Sequence, residues 1–142
     1  MAAPDWLQHI QWSKPHRLSE LMADMSKIPD YQGFYAFNED PGPLQVGRVL
    51  YIGETGQAGG LRSRLRTYLH ADPENASIKH SGAIWIHNHR LYETSNDQIY
   101  LRWSGWESDK RTRMDIETGL MQYYQAWYNK RQMKKDIDLE TI

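Results

Sequence analysis

The stretch Gly33-Phe34-Tyr35-Ala36-Phe37 and the later stretch Arg48-Val49-Leu50-Tyr51-Ile52 decide the fold that this sequence predicts. Both are rich in aromatic and branched residues, and Pro41-Gly42-Pro43 lies between them, so they read as two strands joined by a turn. Side chains alternate between the two faces of a strand. The alternation predicts one face with Tyr35, Phe37, Val49 and Tyr51, and an opposite face with Phe34, Ala36, Leu50 and Ile52. A hairpin can therefore bring Tyr35 and Tyr51 to the same face.

A short helix is predicted next, over residues 61–70, after a loop with four glycines in residues 53–60. That loop lacks the lysine of a Walker motif, which argues against a nucleotide triphosphatase. The helix carries an apolar stripe of Leu61, Leu65, Tyr68 and Leu69, and Arg64 lies within this stripe. An arginine is costly to bury unless an anion meets it. Either an internal carboxylate pairs with Arg64, or Arg64 faces a cleft that accepts a phosphate.

Further elements complete a small α/β domain of the α+β type. We predict an N-terminal amphipathic helix capped by Ser13, a helix over residues 82–92, a third strand over residues 98–103, and a helix capped by Ser108 or Asp109. The N-terminal helix has an apolar stripe of Leu18, Leu21, Met22 and Met25, and the last helix has one of Ile116, Leu120, Tyr123, Tyr124 and Trp127. The predicted fold is a three-stranded, mainly antiparallel sheet flanked by helices. Its predicted divisions are an extension over residues 1–30, a domain over 31–132 and a tail over 133–142.

Composition limits the possible functions. The chain has 142 residues, of which 39% are apolar, and it fits one domain with one core. It contains no cysteine, which excludes disulfides, cysteine-based zinc sites and thiol catalysis. No apolar run approaches transmembrane length, and the first residues do not resemble a signal peptide, so we expect an intracellular, cytoplasmic protein with no membrane partner. Delivery into another cell remains compatible with this expectation.

The ordered set of motifs resembles the GIY-YIG endonuclease family. Gly33-Phe34-Tyr35 matches the first triplet except for Phe34, and Tyr51-Ile52-Gly53 matches the second. Arg64 precedes Tyr68 by four residues, as in that family. Glu117 is followed by Leu120, Met121 and Asn129 at the family's spacings, and the resemblance covers about residues 33–129. The chain departs from the family at Glu54, where several members have a basic residue, and in longer segments between the motifs.

The resemblance implies a DNA endonuclease whose catalytic residues are Tyr35, Tyr51, Arg64, Tyr68, Glu117 and Asn129. It implies that Tyr51 or Tyr35 is the general base and that Arg64 stabilises charge on the phosphoryl oxygens. Glu117 is then the candidate ligand for Mg²⁺ or Mn²⁺, which would stabilise the leaving 3′ oxygen and give 5′-phosphate and 3′-hydroxyl ends. Asn129 lies too far along to share a helix face with Glu117, and it fits a helix cap or a bond near the tyrosines better.

Several interpretations compete with this one. A direct salt bridge between Arg64 and Glu117 would explain both residues without catalysis. The same fold could serve a non-catalytic nucleic-acid-binding or protein-interaction module, or an RNA nuclease. The net charge of −1 does not favour nucleic acid. Basic residues are nevertheless grouped, and we predict that duplex or branched DNA contacts the following ones: Arg62, Arg66, His70, Lys110, Arg111 and Arg113.

Overall fold

Helices cover both faces of a four-stranded antiparallel sheet in a computed structural model that describes residues 4–69, 86, 95 and 97–129. The strands are β1 (His16–Arg17), β2 (Gly33–Asn38), β3 (Val49–Thr55) and β4 (Tyr100–Gly105). The helices are α1 (Leu18–Ala23), α2 (Gly60–Leu69) and α3 (Lys110–Tyr124), and two 3₁₀ turns span Asp5–His9 and Met25–Lys27. The sheet order is β1-β4-β2-β3, so β3 lies at one edge.

The fourth strand corrects the prediction of a three-stranded sheet. The predicted cap Ser13 does not begin a helix; its backbone N–H donates to the carbonyl of Trp103, and its hydroxyl accepts from the N–H of Trp103. Pairing with β4 continues through β1, and α1 begins only at Leu18. An open strand edge exposes unpaired backbone N–H and C=O groups. The chain before α1 hydrogen-bonds to these groups of β4, and the helix therefore begins later than predicted. The N-terminal segment is therefore part of the sheet.

The two sides of the hairpin match the predicted alternation except at two neighbouring residues of β3. Tyr35, Phe37 and Tyr51 lie in one apolar cluster, while Phe34, Ala36 and Ile52 lie in the other. Phe37 pairs with Tyr51 but Asn38 pairs with Val49, so Leu50 is an extra residue in β3. This bulge exchanges Val49 and Leu50 between the faces, and their predicted sides were wrong. Tyr35 and Tyr51 remain on the same face because the bulge lies beyond both.

Gly53 makes room for the ring of Tyr35. The two residues are directly opposite in the β2–β3 pair. A Cβ atom at position 53 would lie 2.3 Å from both Cζ and the hydroxyl of Tyr35, closer than any real contact. The glycine of the second triplet thus allows the tyrosine of the first to lie across the neighbouring strand.

We expect Gly53→Ala to lower the free energy of unfolding by about 1–3 kcal/mol, because the new methyl group must displace the buried ring of Tyr35. Chemical denaturation measures this change. Gly42→Ala is the matched control, since its Cβ would meet only the movable Asp40 side chain at 3.2 Å. Equal stability of the two variants would contradict this role for Gly53.

The two long helices pack on opposite faces. α2 buries Leu61, Leu65 and Tyr68 on the tyrosine face, and α3 buries Ile116 and Leu120 on the other. The α3 cap is the predicted Asp109, whose side chain accepts from the N–H of Thr112. The third strand begins two residues later than predicted, and among the described residues no helix is long and apolar enough to cross a membrane.

Some predictions lie outside the described residues. Of the helix predicted over residues 82–92, only position 86 is described, and Ile86 is helical and buried. His70 and the tail over 133–142 also lie outside.

Candidate functional site

Three phenols form a hydrogen-bonded chain beneath the edge strand. The hydroxyl of Tyr68, from α2, lies 2.8 Å from that of Tyr35, and it also hydrogen-bonds to Tyr51. The rings of Tyr68 and Tyr35 meet edge-on, with centroids 5.3 Å apart. Tyr35 and Tyr68 are almost completely buried, while Tyr51 keeps 7% of its surface exposed. Tyr51 is therefore the phenol nearest to solvent.

Burial makes these phenols weak acids. Burial, and to a smaller extent the carboxylate of Glu117, raises the pKa of Tyr51 to about 12, whereas Tyr68 and Arg64 act in the opposite direction. Burial likewise raises the pKa of Tyr35 and of Tyr68. The expected lowering by Arg64 is present, but it does not outweigh burial in the protein alone.

Arg64 projects from α2 toward the tyrosines, and no carboxylate of the described residues forms an ion pair with it. Its Nε is buried and makes no hydrogen bond. Among the described residues the ion pairs are His16–Glu20, Lys27–Glu20 and Arg113–Glu54. The interpretation of Arg64 and Glu117 as a salt bridge is therefore wrong for this structure. The charge of Arg64 still acts on Tyr35, Tyr51 and Glu117 at longer range.

Glu117 lies on α3 beside the edge strand, largely covered by protein. Burial raises the pKa of its carboxyl to about 7, and the nearby carboxylate of Glu54 adds to the shift. The backbone of Glu54, together with Arg64 and Arg113, lowers the pKa but only in part. A carboxylate in this environment gains from a cation more than an exposed one would.

The pairing of Glu54 with Arg113 was not foreseen from the sequence. The Nε of Arg113 donates to Oε2 of Glu54 at 2.5 Å, and its Nη1 donates to the carbonyl of Ser108. Arg113 is 6% exposed, and a side chain on Gly56 would collide with its guanidinium. The prediction that Arg113 joins a phosphate-binding surface is therefore corrected. The available signal was its spacing of four residues before Glu117, which places both on one side of a helix.

Asn129 has a structural role that its side-chain bonds define. Its Oδ1 accepts from the N–H of Ile52 at 2.7 Å, and its Nδ2 donates to the carbonyl of Ile52 at 3.1 Å. Both groups of the amide are used, and the residue is 1% exposed. Asn129 thus holds β3 between Tyr51 and Gly53, which confirms the bond near the tyrosines that we preferred for it, and its catalytic role stays a prediction.

The remaining basic residues differ in their availability. Nε of Arg62 donates to the carbonyl of Ile28 at 2.7 Å, and Nη2 contacts that of Ser26, so this arginine ties α2 to the N-terminal segment. Because these hydrogen bonds occupy its guanidinium, Arg62 is less available for phosphate than predicted. The other described members of the predicted surface are exposed: Arg66, Lys110 and Arg111.

The carboxylates suit a metal held by a single protein ligand. Within the described part of the chain there is no group of three or more His, Cys, Asp or Glu residues that could hold an ion. Glu54 pairs with Arg113, whereas the partly buried carboxylate of Glu117 forms no ion pair with a described residue. One carboxylate with waters and substrate oxygens is a common arrangement for Mg²⁺. The residues therefore fit the ion that the sequence predicted.

Comparisons with known proteins add no identification. No family model matches the chain, and neither a curated protein nor a solved structure matches it.

Proposed function

We propose that this chain is a divalent-metal-dependent endonuclease of the GIY-YIG type, which hydrolyses phosphodiester bonds in DNA and leaves 5′-phosphate and 3′-hydroxyl ends. One observation carries the proposal. Three groups come from three different elements and act electrostatically on one another: Arg64, whose buried Nε has no hydrogen-bond partner, Tyr51, and Glu117, which forms no ion pair with a described residue. A metal-bound phosphodiester would supply an anion for Arg64 and a cation for Glu117.

The arginine explains how the substrate would be held. A phosphodiester carries a negative charge that matches the unpaired guanidinium of Arg64, and that charge grows as the nucleophile adds. The planar guanidinium can donate to two phosphoryl oxygens at once. Its position in an otherwise apolar stripe costs folding free energy in the free protein, and the substrate would offset this cost.

Tyr51 is the candidate acceptor for the proton of the attacking water, and it would act as the phenolate, after its own proton has passed to solvent. Tyr51 is the most exposed of the three phenols, so its hydroxyl is the one a water molecule can approach. The bonds through Tyr68 to Tyr35 orient that hydroxyl. A divalent ion on Glu117 would stabilise the leaving 3′ oxygen and cancel the carboxylate charge that raises the pKa of Tyr51.

Three exposed cations on the two long helices would contact the phosphates of DNA. Arg66 on α2, and Lys110 and Arg111 at the start of α3, are positioned on the same two helices that carry Arg64 and Glu117. Such residues contact phosphates and carry no base specificity. These contacts would therefore bind DNA without a preference for its base sequence.

Cleavage should require a divalent ion. We expect a supercoiled plasmid to be cut in the presence of Mg²⁺ or Mn²⁺ and to stay intact in excess EDTA, because Glu117 needs a cation to stabilise the leaving oxygen. A parallel assay with a labelled RNA of the same sequence separates a DNA nuclease from an RNA nuclease. Undiminished DNA cleavage under chelation would contradict the metal role.

A further inference from the structure

A second pocket lies at the other end of the α3 face. It encloses about 430 Å³ and is lined by Trp12, Ser13, Pro41, Gly42, Pro43, Leu44, Arg102 and Tyr124. Tyr124 follows Glu117 by seven residues on α3, which corresponds to about 10 Å along the helix axis. The pocket is thus separate from the site formed by Arg64, Tyr51 and Glu117, and none of those residues lines it.

The unusual group in this pocket is Arg102. Its side chain comes from the middle of β4 opposite Ala36 and is 5% exposed. Nη2 donates to the backbone carbonyls of Asp40 and Gly42. Nε is buried without a hydrogen-bond partner, and no carboxylate of the described residues lies within ion-pair distance of the guanidinium.

Among the described residues, the guanidinium of Arg102 hydrogen-bonds only to backbone carbonyls, so its buried positive charge is not neutralised by an ion pair. Carbonyl oxygens satisfy donors but do not neutralise the charge, and an uncompensated buried charge costs several kcal/mol. The desolvation is large enough to lower the pKa of Arg102, although Asp40 and Tyr124 oppose the shift. If Arg102 served only to clamp the loop after β2, a neutral donor would do so without the charge. An anion entering the pocket would supply what the protein lacks.

The lining of the pocket indicates which chemical group is attached to the anion in the ligand. Trp12 is half-buried and Tyr124 is 8% exposed, so two aromatic side chains line the space next to the guanidinium. Aromatic side chains bind the flat faces of nucleobases with little sequence preference. The volume is within the range of small-molecule sites.

We propose that this pocket binds a nucleoside monophosphate, with the phosphate at Arg102 and the base against Trp12 and Tyr124. The ligand is bound and not transformed, since no carboxylate lines the pocket and the hydroxyl of Ser13 is already hydrogen-bonded to the backbone of Trp103 and Lys14. This site is independent of the nuclease proposal, and it can hold even if the chain cleaves no DNA.

Titration calorimetry with adenosine 5′-monophosphate tests the proposal on the full chain. We expect saturable binding, with adenosine binding about tenfold more weakly because it lacks the phosphate that meets Arg102. Arg102→Met should weaken binding of the monophosphate to the level of adenosine. Trp12→Leu should weaken the binding of both ligands by the same factor, because it removes an aromatic side chain from the pocket and keeps the charge of Arg102.

Two controls separate this pocket from general charge effects and from the nuclease site. Arg48→Met removes an exposed positive charge outside the pocket and should leave binding unchanged. Arg64→Ala should keep the binding that depends on Arg102, and any component of binding that it loses belongs to the nuclease site, where Arg64 can also meet a phosphate. If Arg102→Met folds poorly, Arg102→Gln, which keeps N–H donors for the loop carbonyls but removes the charge, and Trp12→Leu carry the test, judged by circular dichroism beforehand. Absence of binding at millimolar ligand, or equal affinity in the wild type and a folded Arg102 variant, would overturn the proposal.

Discussion

Glu117→Gln should reduce the rate of DNA cleavage by about three powers of ten, because stabilisation of a leaving oxygen by a metal is worth several kcal/mol. The substitution keeps the size of the side chain and removes the charge that would hold the ion. A single-turnover assay with a labelled duplex measures the loss. DNA binding should persist, since the exposed cations remain and a negative charge near the phosphates is gone. A gel shift should therefore detect an uncleaved complex.

Asp115→Asn is the matched control for that experiment. It removes the same charge from an exposed position of α3, two residues before Glu117. We expect cleavage close to the wild-type rate. A Glu117→Gln protein that cut as fast as this control would leave the binding-module interpretation as the better one.

The same variant should change how stability depends on pH. The carboxyl of Glu117 has a pKa of about 7 in the folded protein and 4.5 as an ordinary glutamate. Between those values the folded chain retains a proton that the unfolded chain has lost, so this residue makes stability fall as pH rises through the window. In metal-free buffer above the window, Glu117→Gln should be more stable than the wild type by about 1–3 kcal/mol. Thermal unfolding at two pH values measures this, and equal pH profiles would contradict the burial of the charge.

Arg64→Ala should lower cleavage by about two to three powers of ten, the usual loss when a donor to a developing oxyanion is removed. The melting temperature should not fall, and it should rise slightly if anything, because the guanidinium has a buried donor without a partner and no ion pair to lose. Activity and thermal denaturation are measured on the same preparation. This combination distinguishes a catalytic charge from a structural one.

Arg66→Ala provides the comparison for Arg64. Arg66 lies on the same helix and is exposed, so its removal changes the net charge equally. It should weaken DNA binding mildly and leave the rate of the bound complex unchanged. If Arg64→Ala instead melted well below Arg66→Ala, a structural role for Arg64 would be indicated.

Local patterns in the sequence predicted much of what positions the site. Alternation predicted that Tyr35 and Tyr51 share a face, and the apolar stripe predicted that Arg64 points inward with Tyr68. Residue type limited the cap of α3 to Ser108 or Asp109, and the structure selects Asp109. These features depend on the chain within a few residues, where propensity and periodicity are informative.

Features that depend on distant parts of the chain were not predicted. The bulge at Leu50 arises from pairing between β2 and β3, and nothing in the local sequence marks it. The segment from Ser13 to Arg17 read as the start of a helix because its partner, β4, lies more than 80 residues away. The Glu54–Arg113 pair joins a strand to a helix and was read as two separate charges. Pairing across a fold is set by the whole topology, which a single sequence does not display.

The side chain of Asn129 hydrogen-bonds to the N–H and the carbonyl of Ile52 at the outer edge of β3, as a neighbouring strand would. This contact affects when the site forms during folding. The bond joins positions separated by 77 residues, so it requires a long loop to close before it can contribute. Contacts of this range form late in folding as a rule. We therefore expect the tyrosine-bearing edge to become rigid only after α3 has docked. A nuclease with this order of assembly would have no competent site while it is partly folded, and nearby nucleic acid would be spared until the domain is complete.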